Sequence, residues 1–364
     1  MNDRLYARFI WCFILCMLML LLIGGCQSKR IINQNGFIQT VTIDRVKDEP
    51  KLFYYGITYP ELTPDGKSKT ISLGIRAHDF QEAFLHFSLQ TRYNLVLGQI
   101  RNIVMGKSVW SHDMNHALNN LNFQPKFPLS ARLMIYDGEA RELLQLSEDT
   151  TDFHLYQLML KLQKLNDFSL STIFNYVRDD IQPGIAPVAT TIRVRDKSIS
   201  VNGLAVFKDN KLAGQLSEQD VNYMLLLRNH KVSGSFHISQ ETLDASEKPI
   251  IIDNAQSKSK VTVLETSPTP KIRIDVDMTS TVTTALNELN AKQLLSEQQI
   301  AHALELELNR VIREMQKIKC DAIGVGMYVR NKMAYADWKE EQWHEAFSKA
   351  EIECKVNYRM VNMF

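Results

Sequence analysis

Cys26 is the residue of this chain best placed for covalent chemistry. It follows an almost unbroken apolar run, residues 9–23, and two small residues, Gly24 and Gly25. Arg4 and Arg8 outweigh Asp3 ahead of the run, so the segment starts positive. A positive start, a short apolar core and small residues before a cleavage point are the parts of a secretory signal. A membrane-spanning helix needs about 20 apolar residues, and this run offers 15, so it reads as a signal rather than a span. The ending Leu22-Ile23-Gly24-Gly25-Cys26 has the form of a lipobox. Small residues admit the chain to a peptidase, and the Cys26 thiolate is the nucleophile that accepts diacylglycerol. One acyl chain holds a protein only marginally, at ~0.8 kcal/mol per buried methylene, whereas two anchor it stably. Cys26 is the expected lipidation site and mature N-terminus.

The other residues that invite a chemical reading lead nowhere. His112 and His116 are four apart, a spacing that can place two metal ligands on one helix face, but no glutamate follows His112 as in HExxH. Gly106-Lys107-Ser108 ends like a phosphate loop, yet the glycine required five positions before Gly106 is Arg101. Gly324-Val325-Gly326 lacks the third glycine of a dinucleotide loop and follows a helical pattern, not a strand. No GxSxG nucleophile elbow is present. No catalytic, cofactor-binding or metal-ligating residue is therefore assigned. Cys12 and Cys16 lie in the discarded run, which leaves Cys320 and Cys354 as thiols, too few for a disulfide scaffold, with one bridge between them left open.

Around this anchor the composition describes a folded body. Removing residues 1–25 from the 364 leaves 339, more than the ~250–300 at which one core stops growing, so two or more domains are expected. The same cut takes Lys plus Arg from 42 to 40 and Asp plus Glu from 41 to 40, a net charge of zero, which argues against nucleic acid as a partner. Hydrophobic residues at 45% with only 15 Gly and 10 Pro exclude a disordered stalk. The expected organisation is a signal peptide over 1–25 and a lipidated tether over 26–35. An N-terminal α+β domain over 36–200 and a C-terminal α+β region over 201–364, with a possible split near 230, follow.

The elements come from periodicity. Alternation over 37–44 predicts a strand, with 52–59 as its hairpin partner and 70–75 as a further strand. Asp79 caps a helix running to about 92, with Ala83, Phe84 and Phe87 inward. Strands are expected at 99–105 and 132–136, and helices at 113–121 and 153–165. Residues 188–194 and 198–207 read as strands, and residues 203–216 as a tight hairpin turning at Lys208-Asp209-Asn210-Lys211. Ser217 with Asp220 has the form of a capping box opening a helix with Val221, Met224, Leu225 and Leu227 buried. Strands at 236–239, 249–252, 260–264 and 271–283 predict an antiparallel sheet with one wet face. Ser296 and Gln299 cap a long helix whose stripe, Ile300 to Ile318, covers the dry face. Trp338 and Trp343 fall in an acidic helix, and residues 350–361 form a last strand.

The lipobox, the block "GLAVFKDNKLAGQLSEQD" from Gly203 and the block "CDAIGVGMYVR" from Cys320 with Trp338-Lys339 behind it stand in one order. Together they resemble the Ger(x)C family, the lipoprotein C subunits of spore germinant receptors, over nearly the whole chain. The resemblance implies a multidomain α+β body of mixed and antiparallel sheets with packed helices, tethered on the outer face of the spore inner membrane. It implies work beside a membrane-embedded A subunit and a transporter-like B subunit, nutrient being bound mainly by B, and it brings no catalytic residue. The alternative function, a substrate-binding lipoprotein feeding a transporter, shares the tether but is usually built of two lobes with βα alternation. Strands followed by helices in the second half favour the receptor subunit.

Overall fold

The computed structural model describes Trp11 and residues 34–49, 51–63, 65–112, 114–122, 127–145, 171–195, 198–228, 232–238, 250–282 and 296–361. Cys26, the rest of the signal run, Asp113 and the helix expected over 153–165 lie outside them.

An eight-stranded mixed sheet organises the first half. Its strands are β2 (Thr40–Arg45), β3 (Phe53–Leu62), β4 (Ser68–Ala77), β6 (Asn102–Met105), β7 (Arg132–Tyr136), β8 (Val188–Arg195), β9 (Ser198–Lys208) and β10 (Lys211–Leu216), in the order β10-β9-β8-β7-β6-β2-β3-β4. The central run β2, β6, β7, β8 is parallel, and hairpins flank it on both sides. Parallel neighbours need crossovers, and these are carried by α1 (Phe80–Gln90), α2 (Lys107–Trp110), α3 (Met114–Asn122) and α4 (Ile173–Ile181). Strands buried on both faces read as continuous apolar runs, as in the Asn102–Met105 and Arg132–Tyr136 segments. The Asp79 cap forms as expected, its Oδ1 accepting from Glu82 N at 2.8 Å, and Phe80, Ala83 and Phe87 are buried while Phe84 packs half-buried.

The strand expected over 37–44 is instead two. β1 (Asn35–Phe37) pairs parallel with β5 (Asn94–Val96), and β2 starts three residues later. The chain changes partners between them, because Gln39 O accepts from both Arg101 N (2.8 Å) and Asn102 N (3.1 Å). That exchange also confines the strand expected over 99–105 to Asn102–Met105.

The second half holds a four-stranded sheet, β11 (Val232–Ile238), β12 (Ile250–Glu265), β13 (Lys271–Val282) and β14 (Glu351–Met360), in that order. The two strands expected at 249–252 and 260–264 are one, β12, which carries a register shift between Asp253 and Gln256. Its polar middle stays in the sheet because Ser257 Oγ donates to Val232 O at 3.1 Å and Ser259 Oγ to Leu226 O. The sheet is not wholly antiparallel: β14 runs parallel to β13, from Lys271↔Glu351 to Ser280↔Met360. The crossover this requires is supplied by α6 (Glu297–Lys317), α7 (Val325–Arg330) and α8 (Glu340–Lys349), which follow α5 (Val221–Leu227) in the chain.

The Ser296–Gln299 capping box of α6 is complete, and Ile300, Leu304, Leu308, Val311, Ile312 and Met315 are buried along it. Ile272, Ile274, Val276 and Met278 face this helix side, with Lys271, Arg273 and Asp275 opposite. At α5 the cap differs from expectation. Ser217 Oγ donates to the Asp220 side chain (2.6 Å) and not to the backbone, a 3₁₀ turn over Glu218–Asp220 intervenes, and all of Val221–Leu227 is buried. Asp220 cannot serve a box because its other oxygen is taken by Arg310. Trp338 lies ahead of α8, which contains only Trp343 of the two.

The eight-stranded sheet separates two cores. Ile103, Met105, Leu133, Ile135 and Phe207 face α1–α4, while Val104, Met134, Val188, Leu204 and Val206 face α5 and the second half. Successive side chains on a strand alternate faces. The β9 strand spans residues 200 and 201, where the sequence suggested a division.

Candidate functional site at the junction of the two halves

The densest polar cluster lies where the "CDAIGVG" block meets the first half. Thr172 caps α4 by accepting from Asn175 N (3.1 Å), and this sets the helix so that Asp179 points inward, its side chain 1% exposed. Arg228 ends α5, the helix buried all round, and its side chain is 2% exposed. Nη1 of Arg228 binds Asp179 Oδ2 at 3.0 Å, Nη2 donates to Ala186 O at 2.8 Å, and Nε donates to Ala322 O. Burial lowers the Arg228 pKa and the Asp179 charge opposes it; the guanidinium stays a cation. Arg178 Nε, at 2.8 Å, donates to the other oxygen of Asp179.

Asp321 forms the second half of the cluster. Its Oδ1 accepts from Gly324 N (2.7 Å) and Val325 N (3.3 Å), and its Oδ2 from Gly326 N (2.7 Å) and Trp343 Nε1 (3.0 Å). The three backbone donors are the free amides at the start of α7, where an anion is favoured. Burial raises the Asp321 carboxyl to about 6, with the amide and indole donors pulling the other way. Gly324 has φ +83°, a conformation that favours glycine. A Cβ on Gly326 would lie 2.4 Å from Trp343 Nε1 and 2.7 Å from Gly184 Cα, so both glycines are needed for the close approach. Ala186 N donates to Asp321 O (2.9 Å) and Gly184 N to the Glu340 side chain (3.2 Å), which stitch the connection after α4 to the second half. The Gly324-Val325-Gly326 amides that a phosphate would use are thus occupied by the protein's own carboxylate.

A satellite cluster ties α5 to α6. Arg310 binds Asp220, Glu307 Oε2 at 2.9 Å and Glu314 Oε1 at 2.9 Å. Burial works against its charge, but Asp220 and Glu307 outweigh it and hold the guanidinium above its ordinary value.

The residues singled out from sequence disperse. His112 is exposed, contacts Ser111 Oγ at 3.0 Å and rims a cavity of about 440 Å³ with Asp44, Ser108 and Arg141. His116 instead stacks on Phe53 with ring centres 5.5 Å apart. The described residues contain no group of three metal-type ligands. Lys107 pairs with Asp137 at 2.7 Å, and Ser108 Oγ accepts from Arg45 N at 2.8 Å. Asp44 accepts from Ala140 N (2.7 Å) and Arg141 N (2.8 Å), and burial raises it to about 6 against those bonds. Cys320 and Cys354 are separate buried thiols, each pushed up to about 12 by burial. Sequence reasoning missed Asp179, Arg228 and Asp44. For Arg228 a signal existed: a charge closing the apolar run Val221–Leu227 has to find a buried partner.

Family models match both sides of this junction. One, described as "Spore germination protein N-terminal domain", covers residues 28–194, and the other, "Spore germination B3/ GerAC like, C-terminal", covers residues 202–363. The chain belongs to the Ger(x)C family of spore germination proteins. Among Ger(x)C relatives, the spore germination protein GerQC of Bacillus cereus is 20% identical over 345 residues, covering 92% of this chain and 94% of GerQC. Spore germination protein YndF of Bacillus subtilis (strain 168) is 20% identical over 400 residues, covering 98% and 97%. The crystal structure of the GerBC protein superposes with a TM-score of 0.57 at 18% identity, covering 88% of this chain and 97% of GerBC, which establishes the shared α+β fold. In Ger(x)C terms, Asp179, Gly184 and Ala186 come from the N-terminal unit, and Arg228, Asp321 and Trp343 from the C-terminal one.

Proposed function

We propose that this chain is the lipid-anchored C subunit of a spore nutrient germinant receptor. Diacylglyceryl-Cys26 holds it on the outer face of the spore inner membrane, and it acts through contacts with membrane A and B subunits. The observation that carries the reading is the family match in register over both halves, with the "CDAIGVG" block building the junction between them. There the carboxylates and the guanidinium are saturated by one another and by backbone groups. Groups so committed hold a body together, which suits a subunit that works by contact.

Two measurements test this. Deletion of the gene is expected to abolish the spore's response to the nutrients read by its receptor while triggers that bypass receptors still act. Calorimetry of the soluble part from Gln27 with amino acids and nucleosides is expected to show no micromolar binding. Micromolar binding, with germination intact and uptake of that nutrient lost in the deletion strain, would transfer the reading to a transporter's substrate-binding lipoprotein. Cys26→Ala is expected to abolish incorporation of labelled palmitate; undiminished labelling refutes the anchor.

A further inference from the structure

The cavity rimmed by His112 lies at the carboxyl ends of the parallel strands, and the topology makes a crevice there. From β2 the chain turns to β3 on one side, while from its parallel neighbour β6 it leaves for β7 on the other. Connections that diverge from adjacent parallel strands open the gap in which α/β sheets bind ligands. The walls come from those connections: Lys47 and Asp48 follow β2, Ser108 and His112 follow β6, and Glu139 and Arg141 follow β7. Arg76, opposite Tyr54 across the β3–β4 ladder, lines the remaining side. The space of about 440 Å³ falls in the range of small-molecule sites.

The groups left uncommitted there select the ligand. The backbone amides are taken: Gly106 N donates to Ile43 O at 2.9 Å, Lys107 N to Gly138 O at 2.9 Å, and Ala140 N and Arg141 N to Asp44. These amides therefore cannot cradle a phosphate. Side-chain cations remain. The Arg141 guanidinium is fixed over the Tyr54 ring (5.4 Å), with Nε on Glu139 at 2.6 Å and Nη2 on the same oxygen. Its Nη1 is the edge left to a ligand. Arg76 and Lys47 are exposed and have no partner among the described residues. Of the acids lining the cavity, Asp44 is turned to the Ala140 and Arg141 amides and Glu139 is held by Arg141, which leaves Asp48 against the two free cations. Guanidinium forks match the planar geometry of a carboxylate.

We propose that this crevice binds a small di- or tricarboxylate, with Arg141 and Arg76 as its hydrogen-bond donors and Lys47 as a further cation. An amino acid suits it less, because its ammonium group would fall among these cations. The site lies within the first half and is independent of the anchor and of the membrane partners proposed above.

Citrate is the probe. Calorimetry of the full chain in a neutral detergent, at about 0.15 M salt so that unspecific surface attraction is screened, is expected to show saturable binding of one citrate per chain, with Kd below about 1 mM. Lys47→Ala combined with Arg76→Ala is expected to weaken that binding at least about tenfold. Lys258→Ala combined with Arg359→Ala, in a separate cavity on the four-stranded sheet, is expected to leave it unchanged. A second readout needs no variant: citrate is expected to slow phenylglyoxal modification of Arg76 in the parent chain, followed by mass spectrometry, without protecting Arg359. No saturable citrate binding, binding unmoved by the Lys47 and Arg76 substitutions in a folded variant, or equal protection of Arg359 overturns the site. Inorganic phosphate binding as tightly as citrate overturns its assignment to carboxylates.

Discussion

Replacing Arg228 by methionine tests whether the junction holds the two halves together. The substitution keeps most of the side-chain volume but strands Asp179, whose carboxylate is 1% exposed and then retains only Arg178 as a cation partner. It also removes the donors to Ala186 O and Ala322 O. Breaking a buried pair by removing one partner costs about 3–5 kcal/mol, and each orphaned carbonyl about 1–3 kcal/mol. These costs overlap, so a loss of about 4–6 kcal/mol is expected, a large part of the 5–15 kcal/mol typical of a domain. The double variant Arg228→Met with Asp179→Leu removes the stranded charge and leaves the carbonyls, and it is expected to recover about 1–3 kcal/mol relative to the single variant. Urea unfolding of the chain from Gln27 reads both differences from the midpoint and slope. A single variant within about 1 kcal/mol of the parent, or a double variant less stable than the single, would refute the ion pair as the organising contact.

Two further outcomes follow from the same interior. Asp44 and Asp321 each titrate near 6 in the folded chain, above the 3.8 of an exposed aspartate. The folded state therefore binds more protons than the unfolded state between those values, and these groups add stability as pH falls from about 7 to about 4, by up to about 3 kcal/mol each. Asp44→Asn is expected to flatten the pH 5 to pH 7 difference seen by thermal unfolding, and an unchanged difference refutes the assignment. Leu304→Asp places an unpaired charge in the fully buried stripe of α6, a cost of several kcal/mol. It is expected to abolish cooperative unfolding of the second half and to copy the gene deletion in germination assays.

What sequence made legible were features set by neighbours in the chain. The Asp79 cap, the Ser296–Gln299 box, the stripe from Ile300 to Met315 and the strand Arg132–Tyr136 depend on local periodicity and local hydrogen bonds, and they stand as read. The misreadings lie where a distant partner decides. Gln39 O, taken by Arg101 and Asn102, splits a pattern that looked continuous, and Ser257 and Ser259 keep a polar stretch inside β12 by bonding carbonyls from other elements. The parallel docking of β14 depends on the crossover from α6 to α8, which no strand pattern encodes. The junction was half legible: the Cys320–Gly326 block stood out as a motif, but Arg228, which bonds its Ala322 O, and Asp179, the ion-pair partner of Arg228, lie 49 residues apart in the chain, and nothing local pairs them.

The alternation along β9 has a consequence for how the chain checks its own assembly. Leu204 and Val206 serve one core and Ala205 and Phe207 the other, and β8, facing β9 through Val188↔Val206, divides its residues in the same way. A slip of one residue would exchange the two sets, driving the Phe207 ring into a space shaped for Val206 and leaving a void where Tyr176 expects that ring at 5.4 Å. The error is therefore registered twice, as crowding on one side and as a hole on the other, and neither half can settle around a misaligned strand without spoiling its neighbour. The shared strand acts as a proofreading rule between two hydrophobic interiors.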